Sequence, residues 1–203
     1  MAARAAVSFS ETMCGGFGWG ATDPIVGARE GHAAASSLTL HAHAEIADVR
    51  AFVRDPGHGG RLRGSVTFAP IGAADATAEG TFGLFVPTAE PGVRLMTYRV
   101  AFRVDDRDYC LDGAKYVGRR SLLHGWSETT TLHCRLHAGA DTTGAVVAAG
   151  VLHLGPMAFA RQLTSFRTPA AGSLGDGVGA LAGFLWFFSG ELIAAYLPLA
   201  ARR

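Results

Sequence analysis

Paired cysteines are missing from this chain of 203 residues. Cys14, Cys110 and Cys134 stand far apart, and their odd number suits neither a disulfide framework nor a Cys-X-X-Cys site. A reducing compartment follows, and the expected location is cytoplasmic. Charge is also scarce. Charged residues make up 17% where about 25% is usual. The net charge of +1 leaves no excess to attract nucleic acid or an anionic membrane. The N-terminal MAARAAVSFSETM is too short in apolar residues to read as a secretory core. Nor does the chain contain a Gly-X-Ser-X-Gly elbow or a phosphate-binding glycine loop. GGFGWG at 15–20 lacks the preceding strand and the spacing of a dinucleotide fingerprint. No cofactor and no metal are therefore expected.

What the chain has is apolar bulk and glycine. Apolar residues reach 49%, enough for a large core, and the 27 glycines are spread as they are where short strands meet tight turns. Residues 1–35 read as an irregular Gly-rich segment. From residue 36 the pattern alternates. Leu38, Leu40, Ala42, Ala44 and Ile46 share one parity, the signature of a half-buried strand. A short helical turn precedes Asp55-Pro56-Gly57. Further alternating runs follow over 61–68, 80–87 and 94–117, the last a hairpin turning at Asp105-Asp106. Two more strands fall in 126–139 and 142–156, and 157–168 fits a short helix. About seven strands without crossover helices predict a mainly β fold, an antiparallel barrel-like (lipocalin/calycin-like) domain over 36–170. Leu40, Val66, Phe68, Leu84, Phe102, Leu132 and Leu152 should face its core.

Residues 171–203 differ in kind and read as a hydrophobic C-terminal helix. Between 178 and 201 the sole charge is Glu191. A membrane span needs about 20 apolar residues, but a carboxylate at the bilayer centre costs at least about 2.5 kcal/mol. Packing on the barrel or a partner, in-plane anchoring and spanning are the three readings, in that order. Leu181, Leu185, Phe188, Leu192, Ala195 and Leu199 form one stripe. Apolar residues on the rest of the circumference leave the helix incompletely covered by this chain.

Few residues suggest chemistry. His41 and His43 point the same way from one strand, as two metal ligands could. They fall on the polar parity, however, and no third ligand is marked, so a solvated face is the better reading. The same holds for His133 and His137, and His58 reads as a turn residue. Glu128 shares the inward parity of Leu132 and Cys134, and a buried carboxylate needs a partner. Lys115 is the candidate. Glu128 and Lys115 are thus the candidate catalytic pair, with a structural ion pair as the plainer alternative.

DVRAFVRDPGHGGRLRGSV, GTFGLFV, RLMTYRVAF, CLDGAKYV, WSETTTLHCRLHAG and GVLHLGPMAFARQLTSFR occur in that order. Together, over roughly 9–197, they resemble an uncharacterised accessory domain found with cholesterol-oxidase-like flavoenzymes of the glucose–methanol–choline (GMC) oxidoreductase group, in some bacterial proteins beside an α/β-hydrolase-like segment. The flavin fingerprint of that group is not present, so the resemblance does not imply a flavin oxidase and carries over no catalytic residue. It implies a setting in sterol or other lipid metabolism, with an oxidoreductase as partner. The expected function is lipid- or sterol-associated binding of an apolar small molecule. An enzyme acting on an apolar steroid or lipid substrate through Glu128 and Lys115 is the alternative, and a structural or membrane-tethering module the third. Homo-oligomer formation and peripheral membrane contact are the further partner expectations.

Overall fold

The structure is a computed structural model, and it describes residues 6–118, 130–155, 167–168 and 174–196. Eight strands close into an antiparallel barrel in chain order, each paired with its neighbours in sequence and the last with the first. They are β1 (Val7–Trp19), β2 (Ser37–Ile46), β3 (Gly59–Phe68), β4 (Ala73–Pro87), β5 (Arg94–Val104), β6 (Arg107–Val117), β7 (Thr131–Ala138) and β8 (Val146–His153). Helix α1 (Pro24–Ala33) links β1 to β2, α2 (Val49–Arg54) links β2 to β3, and α3 (Leu174–Tyr196) follows the barrel. The mainly β barrel with a hydrophobic C-terminal helix is thus as expected. Closure leaves no long exposed edge for another chain to extend.

The segment expected to be irregular is the main departure. Residues 7–19 form β1, which pairs with β2 from Val7↔Ile46 to Gly16↔Ser37 and with β8 from Cys14↔His153 to Trp19↔Ala148. It is the eighth strand, the one that closes the barrel. Its glycines have a packing reason. Gly16 and Gly18 lie under α1, whose Gly27 and Gly31 face back at the barrel wall. A Cβ on Gly31 would stand 2.1 Å from the Phe17 backbone N, and one on Gly27 2.1 Å from the Ala149 carbonyl O. Asp23 caps α1 by accepting from the Ile25 and Val26 N–H groups, and Pro24 opens it.

The seven residues expected in the core are all buried, and register shifts and the covering helix α1 break the alternation in places. Strict alternation over 80–87 would put Phe82, Leu84 and Val86 on one face. The β4–β5 register shifts between Gly83 and Val86, Phe85 takes φ 53, and its ring is fully buried while Val86 turns outward. In β7 the register to β8 shifts between Leu136 and His137; His137 stays on the outward face with its β6 partner Cys110 and is buried there, its Nδ1 donating to the Gly144 carbonyl at 3.0 Å. The helix expected over 157–168 lies outside the described residues up to 166. Arg167 itself makes a β-bridge to Ser8.

α3 lies against the barrel end where β1 begins and α2 sits. Its Phe184 ring is 6.1 Å from that of Phe9, Phe187 5.5 Å from Phe52, and Phe188 5.0 Å from Phe85. The buried stripe is Ala180 and Phe184, with Phe187, Phe188 and Leu192 packed beside it. That is rotated from the expected stripe, since Leu185 is exposed.

Candidate functional site

Strand parity decides what enters the lumen. In β1, Val7, Phe9, Glu11 and Met13 share the inward face, and Glu11 is the polar member of an otherwise apolar row. In β6 the inward row is Tyr109, Leu111, Gly113, Lys115 and Val117. In β5 it is Met96, Tyr98, Val100 and Phe102. Three polar side chains thus meet inside the barrel. β1 and β6 are separated by β7 and β8 on one side and by four strands on the other, so the contact crosses the lumen.

Lys115 Nζ lies 3.5 Å from Glu11 Oε2, with side-chain exposures of 2% and 1%. The same ammonium donates to the Tyr98 hydroxyl at 3.2 Å and stands 4.7 Å from the centre of that ring. Burial, then the Glu11 charge, then hydrogen bonding with the Glu11 side chain raise the Tyr98 pKa well above its ordinary value. Tyr98 is therefore a neutral hydroxyl, able to donate to the carboxylate and accept from the ammonium. β7 contributes Cys134, whose thiol pKa burial also pushes far up. It behaves as a small apolar residue and not as a nucleophile.

Lys115 was expected to pair with Glu128. The carboxylate it meets among the described residues is Glu11. Glu128, the expected partner, lies outside the described residues. Glu11 was missed because β1 was missed. The signal was present in Phe9, Glu11 and Met13, an apolar row with a carboxylate at its centre.

The histidines lie elsewhere. His43 Nδ1 hydrogen-bonds Ser10 Oγ at 2.8 Å, and His41 Nδ1 hydrogen-bonds Thr12 Oγ1 at 3.0 Å, both on the outer wall. They form a cross-strand polar ladder, and among the described residues no cluster of three or more ligand-type side chains could hold a metal. His58, in its turn at φ 40, is buried. Its Nδ1 donates to the Phe52 carbonyl at 2.8 Å, and its ring lies 4.7 Å from that of Phe187, so it fastens α2 under α3. A groove of about 720 Å³ runs over the outer wall at this end, lined by Glu45, Arg61, Thr81, Thr97 and several glycines.

Glu191 completes the geometry. It is turned inward from α3 and pairs with Arg94 Nε at 3.3 Å. The opposite face of α3 carries Val178, Leu185, Trp186 and Ile193, exposed by 69%, 44%, 83% and 57%. No protein-family model, curated protein or solved structure matches this chain.

Proposed function

We propose that the barrel binds an apolar small molecule, of lipid or sterol type, and acts as a binding or accessory domain. An oxidoreductase is the partner that the motif resemblance implies. One observation carries the reading: Glu11, Lys115 and Tyr98 meet across the lumen of a barrel whose other described inward side chains are mostly apolar. Stability alone gives little reason for such a group. Replacing a buried ion pair by well-packed apolar residues is often neutral, or stabilising by about 1–4 kcal/mol. A ligand that is apolar along its length and polar at one end gives a reason. Barrels of eight strands are wide enough to hold one small ligand. Small residues, Ala42, Ala44 and Ala78, face inward from β2 and β4.

The test is titration of the full chain with Nile red, an uncharged apolar dye, followed by displacement with a sterol or a long-chain alcohol. Saturable binding with one site per chain, weakened by Lys115→Met, is expected. If neither dye nor competitor binds the folded chain, the reading is overturned.

A steroid- or lipid-transforming enzyme is the second reading, favoured by the same buried lysine. Glu11 would then stand where Glu128 was expected. Tyr98 counts against proton abstraction by a tyrosinate, because its environment favours the neutral phenol.

A further inference from the structure

We infer that the outer wall of the barrel carries a second site, a Ser–His–Glu constellation that hydrolyses carboxylic esters. It is separate from the lumen and does not depend on the binding reading above. Ser10 on β1 is the register partner of His43 on β2, and Glu45 follows two residues along β2 on the same outward face. Ser10 Oγ lies 2.8 Å from His43 Nδ1, and His43 Nε2 lies 3.8 Å from Glu45 Oε1. A nucleophile, a base and a carboxylate that can orient the base thus stand in sequence. Such a set is recognised by geometry and roles, not by order in the chain. His43 and Glu45 are both partly exposed, so a small rotation of the carboxylate brings it within hydrogen-bond reach. The neighbouring rung supplies the contrast. Thr12 and His41 repeat the hydroxyl–imidazole contact at 3.0 Å, but Thr39 and His43 flank His41 on β2, and neither is a carboxylate.

Room for a substrate lies beside it. Ser8 and Glu45, the adjacent register pair, line the groove of about 720 Å³ on the outer wall. Gly59, Gly60 and Gly83 keep its walls low, and a Cβ on Gly59 would meet nothing closer than 3.8 Å. An acyl chain fits such a trough, with its ester carbonyl at Ser10. With the imidazole proton on Nε2, His43 Nδ1 takes the Ser10 proton as Oγ bonds the carbonyl carbon. His43 then gives that proton to the alcohol oxygen as the C–O bond breaks, and an acyl-Ser10 remains. Water runs the same steps in reverse. Its proton goes to His43, its oxygen bonds the acyl carbon, and Ser10 recovers the proton as the acid departs. Glu45 accepts from Nε2–H, which holds the tautomer and stabilises the imidazolium. Ester and water give acid and alcohol, and no other reactant is needed.

The experiment is hydrolysis of 4-nitrophenyl butyrate by the full chain, with a fluorophosphonate probe to label the nucleophile and peptide mass to locate it. Turnover above buffer is expected, with the phosphonate on Ser10. Ser10→Ala and His43→Gln should each lower kcat/KM by about a hundredfold, and Glu45→Gln by about tenfold, as for the loss of a general base and of its orienting group. Thr12→Val and His41→Gln should leave it unchanged. Gly59→Leu, which fills the groove, should raise KM and spare kcat. These positions are exposed or partly exposed, and thermal melts are expected to show each variant folded. Activity that survives Ser10→Ala comes from an imidazole alone and overturns the inference. So do the absence of turnover, phosphonate on another residue, and an unchanged rate in Glu45→Gln. An unchanged KM in Gly59→Leu overturns the groove as the acyl subsite. None of these outcomes bears on lumen binding, which the dye titration tests by itself.

Discussion

Glu11 and Lys115 lie 104 positions apart in sequence and 3.5 Å apart across the barrel, on strands that are not neighbours. The pair therefore ties opposite walls of the lumen, and its cost and benefit are both large. Taking one partner away leaves a buried charge without its counter-ion, at about 3–5 kcal/mol. We expect Lys115→Met to lose stability on that scale in denaturant melts. Adding Glu11→Gln should restore much of it, because the Glu11 charge is then removed along with that of its partner. Additive losses in the double variant would show that the two side chains do not act as a pair.

Tyr98 makes a prediction in pH. Its folded pKa is raised, while the unfolded chain titrates near 10.0. Above that value the unfolded state has lost the proton and the folded state still holds it. Unfolding is then favoured as pH rises, and the stability present below pH 10 is lost progressively above it. Tyr98→Phe should flatten this alkaline fall. Spectroscopic titration at 295 nm should show one tyrosine that ionises only as the barrel opens.

The sequence disclosed the barrel more fully than the site, and β1 shows why. In β2, β5 and β7 one face is apolar and the other polar, so period two is plain. In β1 the inward row is broken by Glu11 and the outward row by Gly16 and Gly18, which are small because α1 lies on them. Both departures from pattern have tertiary causes. A carboxylate was placed inward to meet a lysine five strands later in the chain, and glycines were placed outward to admit a helix. Neither partner is visible within a local window. The rotated stripe of α3 has the same origin, since rings on β1, α2 and β4 decide which face is buried.

The contact between α1 and the wall is open to a paired test. Gly31→Ala would set a methyl 2.1 Å from the Phe17 backbone N, which only displacement of α1 can relieve. A loss of roughly 1–3 kcal/mol is expected, in the range of overpacked sites. Gly183→Ala, on α3, meets nothing within 4 Å and should be neutral or stabilising by up to about 1 kcal/mol through helix propensity. Equal effects of the two substitutions in thermal melts would mean that α1 does not pack on its glycines.

The outward face of α3 is the last point at issue. Its partly buried charge, Glu191, is spent on Arg94, and Phe184 holds the helix to the barrel. What remains outside is Val178, Leu185, Trp186 and Ile193, among glycines and alanines. A soluble helix that packs on one side normally shows a polar opposite face, so this face is suited to lipid or protein. Tryptophan 83% exposed at its middle suits the headgroup level of a membrane. The full chain is expected to co-sediment with vesicles of equal phosphatidylcholine and phosphatidylglycerol. Trp186→Ser should weaken that association while changing stability by no more than about 0.5 kcal/mol, as for an exposed position. Phe184→Ala should do the reverse and cost about 3–5 kcal/mol, because it removes a buried ring. Doubling of the particle mass without vesicle binding, reversed by Trp186→Ser, would assign the face to a second copy of the chain. If Trp186→Ser alters neither property, α3 is a cover for the barrel end and its apolar outer face has no docking role.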